Sequence, residues 1–335
     1  MTMHHTDAAS LATKPIMPLF LGIEGLSLTP EEQAFFANSN PLGFILFRRN
    51  IESEKQLKNL VHQLATVTGR LSLPLLVDCE GGRVFRLPSA MMKTPPPPRH
   101  FGDVYTQSPE KARRACYENY HTMGRYLQTL GLSVNCAPLL DLSVAGATDA
   151  LEDRTFSDDP HVVADLGLSA VRALQDAGIV PVIKHMPGHG AAREDSHLVC
   201  PSIHLTAQEL ERHRHPFHAV LSHAEVKASP VPLWGMTAHV AYDALDPQVP
   251  ATFSPRVIQH TLRQTLGFEG FLMSDDLAMG AVSHEPPDVR VRKALAAGCD
   301  GVIFGKGGVA VYAQALKGAI PLSEATKKRL SFFLS

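Results

Sequence analysis

The fifth of eight similar segments in this chain reads VPVIKHMPGHG, residues 180–190. A short apolar run, Val180 to Ile183, ends abruptly in polar residues that begin with Lys184. A strand with one solvent-exposed face alternates apolar and polar residues. This run does not, so it predicts a strand buried on both faces. Such strands are typical of parallel sheets whose two faces are covered by helices.

Seven other apolar runs resemble this one, and stretches with helical spacing separate them. The predicted strands lie within residues 15–24, 43–47, 73–77, 133–140, 180–183, 233–238, 268–273 and 301–304. The clearest helical stretches are 54–67, 109–130, 160–177, 254–266 and 289–297, and residues 29–32 carry a helix-start signal. This α/β pattern predicts a single-domain (β/α)8 TIM barrel over residues 15–335. A doubly wound sheet is the alternative, but no glycine-rich phosphate loop follows the first run.

Composition and charge exclude several classes of protein. The 335 residues include 31 Lys and Arg and 33 Asp and Glu, for a formal net charge of -2. Dedicated nucleic-acid binders are usually basic, so we expect no nucleic-acid partner. No apolar run approaches the roughly 18 residues of a membrane span, and residues 1–14, which we expect to form a disordered tail, do not resemble a signal peptide. Five widely spaced cysteines without a CxxC motif predict reduced thiols and a cytoplasmic protein.

Polar residues stand at the ends of most predicted strands. They are Asp78, Asp141, Lys184, His185, His239, Asp275 and Lys306. The carboxyl ends of all strands share one face of a barrel, and active sites lie on that face. Together these residues predict a ligand site at the barrel mouth.

The loop after the fifth strand is dense in histidine. A metal site is one interpretation, in which a metal-dependent hydrolase would use His185, His189 and Asp275. Pro187 and Gly188 stand between the two histidines, so the pair cannot share a helix face as in an HExxH motif. We therefore expect no metal at this loop.

Two carboxylate motifs suggest acid–base and nucleophilic chemistry. Asp195 lies two residues before His197, and a carboxylate so placed can fix the tautomer of an imidazole and raise its basicity. Asp275 and Asp276 end the seventh strand, where alternation should direct only one of them into the mouth. That aspartate could be the nucleophile of a glycosidase, a metal ligand or a helix cap.

The segment DCEGGRVFR, residues 78–86, follows the third strand. Its glycine pair allows a tight turn with the backbone close to a ligand. Asp78 can accept hydrogen bonds from two sugar hydroxyls, and an arginine can bind an acetamido oxygen. The same string could instead be a helix entry with an internal salt bridge.

The motifs taken together resemble glycoside hydrolase family 3, specifically the bacterial cytoplasmic β-N-acetylhexosaminidases of the NagZ type. The matching strings occur in the family's order over about residues 15–310: GFILFRRN at 43–50, DCEGGRV at 78–84, APLLD at 137–141, RTFSDDP at 154–160, KHMPGHG at 184–190, DSH at 195–197, MTAH at 236–239 and SDDL at 274–277.

The resemblance implies a role for each matching residue. Asp275 matches the catalytic nucleophile, His197 the general acid/base and Asp195 the residue that orients His197. The positions that match the family's substrate-binding residues are Asp78, Arg86, Arg154, Lys184 and His185. Of these, Arg154 is taken from the resemblance alone.

The resemblance also implies a reaction and a substrate. The reaction would be retaining hydrolysis of terminal, non-reducing β-linked N-acetylglucosamine from muropeptide fragments in peptidoglycan recycling. It would need no metal or organic cofactor, and we expect a monomer. Cys79 and Met186 depart from the family pattern and could alter the packing of the sugar pocket. The alternatives are a β-N-acetylglucosaminide phosphorylase and a non-catalytic sugar-binding protein.

Overall fold

The computed structural model describes residues 14–334, and its main feature is a closed barrel of eight parallel strands. Each strand pairs with the next along the chain, and the last pairs with the first. The strands are β1 (Met17–Leu21), β2 (Pro41–Leu46), β3 (Leu75–Val77), β4 (Val134–Asn135), β5 (Val180–Met186), β6 (Trp234–Thr237), β7 (Leu272–Asp276) and β8 (Gly301–Phe304). The predicted TIM barrel is confirmed.

Helices connect successive strands, and further helices follow the last strand. They span Pro30–Ser39, Glu54–Thr68, Pro98–Gln107, Pro109–Thr129, Pro160–Asp176, Ala207–Ser222, Ala224–Ala228, Val257–Thr265, Pro287–Ala297, Gly308–Leu316, Glu324–Arg329 and Ser331–Leu334. The first begins at the predicted signal, where Thr29 Oγ1 accepts from the Glu32 N–H at 3.1 Å and the Glu32 carboxylate accepts from the Thr29 N–H at 2.9 Å. No helix within residues 14–334 is long and apolar enough to cross a membrane.

Seven of the eight strands differ in extent from the prediction, most of them by one to three residues at an end, and β4 and β7 differ most. β4 is limited to two residues. Pro138, inside the predicted run, has no N–H to donate to a neighbouring strand, and beyond it only a single bridge joins Leu139 to Lys184. β7 begins later than predicted because Phe268 still belongs to the turn after a helix, where its N–H donates to the Leu262 carbonyl at 3.0 Å. β7 also extends to Asp276, so the strand includes both aspartates of the SDDL motif.

Aromatic side chains fill the amino end of the barrel interior. Trp234 and Phe271 are fully buried with ring centroids 4.6 Å apart, and Phe20 packs against Phe271 at 6.0 Å. Phe333, near the carboxyl terminus, closes this end at 5.4 Å from Trp234. Side chains therefore fill the amino end of the barrel interior, which leaves the carboxyl end of the strands as the place for a site.

The predicted N-terminal tail falls mostly outside the described residues, since residues 1–13 are not among them. Lys14, the last residue of that predicted tail, is held against the barrel. Its carbonyl accepts from Asn40 Nδ2 at 2.9 Å, and its Nζ donates to the Ala37 carbonyl at 3.1 Å.

Candidate active site

A cavity of about 470 Å³ opens at the carboxyl ends of the strands. Every side chain to which the family resemblance gave a role lines it: Asp78, Arg86, Arg154, Lys184, His185, Asp195, His197 and Asp275. Of the other strand-end residues predicted at the mouth, Lys306 lines the cavity, whereas Asp141 and His239 are fully buried and do not. Cys79 and Met186, which depart from the family pattern, are fully buried and do not line the cavity. The fold therefore gathers the predicted residues at the barrel mouth.

The segment after β3 folds as a hairpin rather than as a helix entry. Residues Cys79–Gly81 pair with Val84–Phe85, and the internal salt bridge between Arg86 and Asp78 is present at 3.3 Å. Gly81 has φ +104°, and a Cβ there would lie 2.3 Å from the Pro96 carbonyl oxygen. Gly81 therefore packs against residues 95–98, a run of four prolines, and the expectation that this turn approaches a ligand stays a prediction.

Asp78 at the end of β3 is held by two cations. Lys184 Nζ donates to its Oδ1 at 3.1 Å, and Arg86 Nη2 donates to its Oδ2 at 3.3 Å. Burial raises the pKa of Asp78, but Lys184 and Arg86 outweigh burial and hold this pKa well below its usual range. Asp78 is therefore a carboxylate at neutral pH and can accept hydrogen bonds from sugar hydroxyls.

Glu80 is a buried carboxylate that the sequence analysis missed. Its oxygens accept from Arg154 Nε and Nη2, both at 2.8 Å, and Oε1 also lies 2.8 Å from Lys184 Nζ. Burial would raise the pKa of Glu80, but Arg154 and Lys184 hold it below its usual value. The sequence offered one signal for Glu80: Asp78 was the only carboxylate assigned to the sugar-binding set, beside the three cations Arg86, Arg154 and Lys184.

Asp141 is the second residue with an unforeseen role, since it was noted only as a strand-end residue. It is fully buried, and its Oδ2 lies 2.8 Å from His185 Nδ1. It also accepts the backbone N–H groups of His185, at 3.1 Å, and of His189, at 2.6 Å. The carboxylate thereby orients His185 so that its Nε2 faces Asp275 Oδ2, 4.0 Å away.

Both aspartates at the end of β7 line the cavity, contrary to the expectation that one would. The pairing of β7 with β8 shifts register between Met273 and Asp276, so strict alternation ends there. The two side chains nevertheless differ in their contacts. Asp276 Oδ1 accepts from the N–H groups of Ala278 at 2.9 Å and Gly305 at 3.1 Å, whereas Asp275 Oδ2 remains directed at His185.

The electrostatic surroundings also separate the two aspartates. Burial raises the pKa of Asp275, but His185 and His239 outweigh it and hold this pKa below its usual value. Burial raises the pKa of Asp276 to about 6 despite its backbone hydrogen bonds. Asp275 is therefore the aspartate better able to remain ionised, as a nucleophile requires.

Asp195 and His197 form a pair on the loop after β5. Asp195 Oδ1 lies 2.8 Å from His197 Nδ1 and also accepts the His197 N–H at 2.9 Å. The ring of His197 is 60% exposed, so water and a substrate can reach its Nε2. Burial would raise the pKa of Asp195, but its hydrogen bonds from His197 lower it, which keeps Asp195 charged beside the imidazole.

The loop that carries this pair is fixed from two sides. Gly280 N–H donates to the His197 carbonyl at 2.9 Å, which ties the loop to the segment after β7. From beneath, His189 Nε2 lies 3.1 Å from Ser196 Oγ, and both residues are buried. Burial and the neighbouring His185 lower the pKa of His189 to about 4, so this histidine is neutral.

His185 and His189 each form one side-chain hydrogen bond within the site. His185 faces Asp141 and His189 faces Ser196, as described above. Within residues 14–334 there is no group of three His, Cys, Asp or Glu side chains arranged to hold a metal ion.

Comparisons of the sequence and of the fold with known proteins point to the same group of enzymes. The model of the glycosyl hydrolase family 3 N-terminal domain matches residues 21–331. A β-hexosaminidase from Thioalkalivibrio sulfidiphilus is 38% identical over 289 residues, 85% of this chain and 80% of the relative. One from Alkalilimnicola ehrlichii is 37% identical over 290 residues, with shares of 86% and 80%. The structure of NagZ from Neisseria gonorrhoeae in complex with N-trifluoroacetyl-D-glucosamine superposes with a TM-score of 0.84 at 30% identity, covering 95% of this chain and 90% of that one.

Proposed function

The chain belongs to glycosyl hydrolase family 3 and is a β-N-acetylhexosaminidase, and from that premise we propose the residues that act and the substrate they act on. Asp275 is the nucleophile, His197 the general acid/base and Asp195 the residue that orients His197. The observation that carries the proposal is the cavity itself, which holds an ionised aspartate together with a carboxylate-paired, exposed histidine.

In the first step Asp275 attacks the anomeric carbon of the bound N-acetylglucosamine. The proton on His197 Nε2 passes to the glycosidic oxygen as the bond to the leaving group breaks. Asp195 holds Nδ1 at 2.8 Å and stabilises the protonated imidazole before that transfer. The products are a glycosyl ester on Asp275 and the released leaving group.

In the second step His197 is neutral and acts as a base. It takes a proton from a water molecule, and the oxygen of that water attacks the anomeric carbon and displaces the Asp275 carboxylate. Two displacements at the same carbon return the sugar with its original configuration. The 60% exposure of His197 supports this step, because water must reach the imidazole.

Charged groups in the segments after β3 and β4, together with Lys184 on β5, bind the N-acetylglucosamine unit. Asp78 accepts from sugar hydroxyls, while the cationic groups of Arg86, Arg154 and Lys184 donate to hydroxyl and acetamido oxygens. His185 lies between this network and Asp275, so it contacts both the sugar and the nucleophile's surroundings. The salt bridges among these residues hold the donors in place before the sugar arrives.

The natural substrate that we propose is N-acetylglucosamine linked β-1,4 to 1,6-anhydro-N-acetylmuramic acid, with or without peptide, in peptidoglycan recycling. The NagZ relative was solved with N-trifluoroacetyl-D-glucosamine, which supports the first sugar of this substrate. We further propose that the protein acts as a monomer in the cytoplasm, which suits its five free cysteines. Gel filtration and fractionation of cells test these two points separately.

The test is hydrolysis of 4-nitrophenyl β-N-acetylglucosaminide by the wild type, Asp275→Ala and Asp276→Asn, with and without phosphate. We expect Asp275→Ala to lose at least about 1,000-fold in kcat, as expected for loss of a nucleophile. Asp276→Asn should lose far less, since its carboxylate is engaged by backbone groups. Retained activity in Asp275→Ala would refute the assignment, and a rate that rises with phosphate, with sugar 1-phosphate as product, would favour the phosphorylase.

A further inference from the structure

His239 is a buried histidine to which the proposed reaction gives no role. It lies two residues beyond β6, and its side chain is fully buried behind the cavity rather than lining it. Its Nε2 lies 3.1 Å from the backbone carbonyl oxygen of Asp276, at the end of β7. A carbonyl oxygen only accepts hydrogen bonds, so Nε2 carries the hydrogen and donates. The ring therefore ties the segment after β6 to the end of β7.

Two buried hydroxyls hold the ring in this tautomer. His239 Nδ1 lies 2.8 Å from Thr252 Oγ1, which in turn lies 2.8 Å from Thr237 Oγ1. Burial lowers the pKa of His239 below its usual value, so the ring is neutral at neutral pH and its Nδ1 accepts. The Thr252 hydroxyl donates to Nδ1 rather than to the Ala238 carbonyl at 3.1 Å, because Nδ1 would otherwise be buried without a hydrogen bond.

The hydrogen bond from His239 reaches β7 where the backbone pairing of β7 with β6 has ended. The last paired residues of these two strands are Met273 and Met236. On its other side the same segment is still linked to β8 by its backbone, since the Leu277 N–H donates to the Ile303 carbonyl at 2.8 Å. The imidazole therefore supplies a link to the β6 side that backbone pairing no longer gives.

The backbone of Asp276 carries this constraint to the proposed nucleophile. Its carbonyl accepts from His239 Nε2, and its N–H donates to Asp275 Oδ1 at 2.7 Å. Because Oδ1 is engaged in this way, Oδ2 is the oxygen that faces His185, 4.0 Å away. A change in the orientation of the Asp276 backbone would therefore turn the carboxylate of Asp275.

Resting on the proposed function, we propose that His239 is a positioning residue for the nucleophile. Its Nε2–H holds the backbone of Asp276, and that backbone holds the carboxylate of Asp275 in the orientation from which it attacks the anomeric carbon. His239 does not touch the sugar and transfers no proton in the reaction. Loss of its hydrogen bond should therefore lower kcat and leave KM nearly unchanged, because the proposed sugar-binding residues lie in other segments.

Two substitutions of His239 separate its donor from the rest of the ring. His239→Gln keeps an N–H donor as many bonds from the backbone as Nε2, so it can still reach the Asp276 carbonyl. His239→Asn ends one bond earlier, at the place of Nδ1, and keeps only the contact with Thr252. Thr252→Val removes the hydroxyl that fixes the tautomer. Its matched control is Thr68→Val, because the buried Thr68 hydroxyl donates to the Leu64 carbonyl within a helix, away from the cavity.

The measurements are kcat and KM on phenyl and 2,4-dinitrophenyl β-N-acetylglucosaminide, with the melting temperature of each variant. We expect His239→Asn to lower kcat about 10- to 100-fold on both compounds, as for a reacting group misplaced by about 1 Å, with KM within about twofold of the wild type. A similar loss on both compounds distinguishes this variant from His197→Ala, whose loss should depend on the leaving group. His239→Gln should stay within about threefold of the wild type, and Thr252→Val should lose about three- to tenfold, as for one hydrogen bond. Thr68→Val should match the wild type.

Three results would overturn the positioning role of His239. They are a wild-type kcat in His239→Asn, a loss of the same size in His239→Gln, and losses that follow the fall in melting temperature across all variants, Thr68→Val included. If His239→Asn does not fold, the comparison of Thr252→Val with Thr68→Val decides, and equal kcat values for these two would overturn the role. Full activity of Asp275→Ala would instead refute the proposed function on which the inference rests.

Discussion

Replacing Glu80 by glutamine should destabilise the protein far more than its single atom change suggests. The Glu80 side chain is fully buried, and it contacts both Arg154 and Lys184 at 2.8 Å. Removing one partner of a buried ion pair leaves an uncompensated buried charge, which typically costs about 3–5 kcal/mol. Glutamine keeps the shape and one acceptor oxygen, so we expect about 3 kcal/mol.

The matched control is Glu118→Gln, which makes the same chemical change on the surface. Glu118 pairs with Arg114 at 2.8 Å, but the two side chains are 60% and 81% exposed. Such a pair contributes less than about 0.5 kcal/mol, because water and salt screen it. Urea unfolding monitored by circular dichroism gives the free energy of unfolding of both variants and of the wild type under identical conditions.

The pH dependence gives a second readout. The pKa of Glu80 is lowered in the folded protein, so its stabilising effect is complete above the unfolded-state pKa of about 4.3 and is lost as pH falls through the folded value. The gap between the wild type and Glu80→Gln should therefore stay constant from about pH 5 to 8 and shrink in more acidic solution. A Glu80→Gln variant within about 0.5 kcal/mol of Glu118→Gln would refute the reasoning.

Three further predictions concern the acid–base loop and the core. His197→Ala should slow phenyl β-N-acetylglucosaminide much more than the 2,4-dinitrophenyl compound, since a good leaving group needs little protonation; equal losses would argue against the acid role. Gly280→Ala should slow hydrolysis of the phenyl compound about tenfold and that of the 2,4-dinitrophenyl compound less, because the added Cβ would lie 2.5 Å from the His197 carbonyl oxygen. Unchanged kinetics would show that the loop does not depend on this contact. Trp234→Ala should cost about 3–5 kcal/mol in urea unfolding, because the side chain is fully buried against Phe271, and a cost below about 1 kcal/mol would contradict the packing described.

The sequence predicted the barrel and seven of the eight assigned cavity residues because these depend on local signals. An apolar run that ends in a polar residue marks the end of a buried parallel strand, and the fold places all such ends together. His185 and Asp275 could be located in this way without knowledge of any contact. Arg154 could not, because it lies in a connecting segment, and only the family resemblance indicated it.

The remaining features depend on contacts between distant parts of the chain. Glu80 binds Arg154 across 74 positions, and no local pattern reveals such a pair. Asp141 was visible as a strand-end residue, but its function in orienting His185 depends on the pairing of two strands. The register shift beside Asp276 likewise arises from its neighbour β8, which is why simple alternation failed there.

The central claim is that Asp275 forms a covalent bond with the sugar, and trapping that intermediate tests it most directly. A 5-fluoro β-N-acetylglucosaminyl fluoride should form the glycosyl-enzyme and hydrolyse it slowly, so that the intact protein gains the mass of one sugar. Fragmentation of the labelled peptide distinguishes Asp275 from the adjacent Asp276. The account predicts a single adduct on Asp275 that disappears in Asp275→Ala; an adduct on Asp276, or turnover without any adduct, would contradict it.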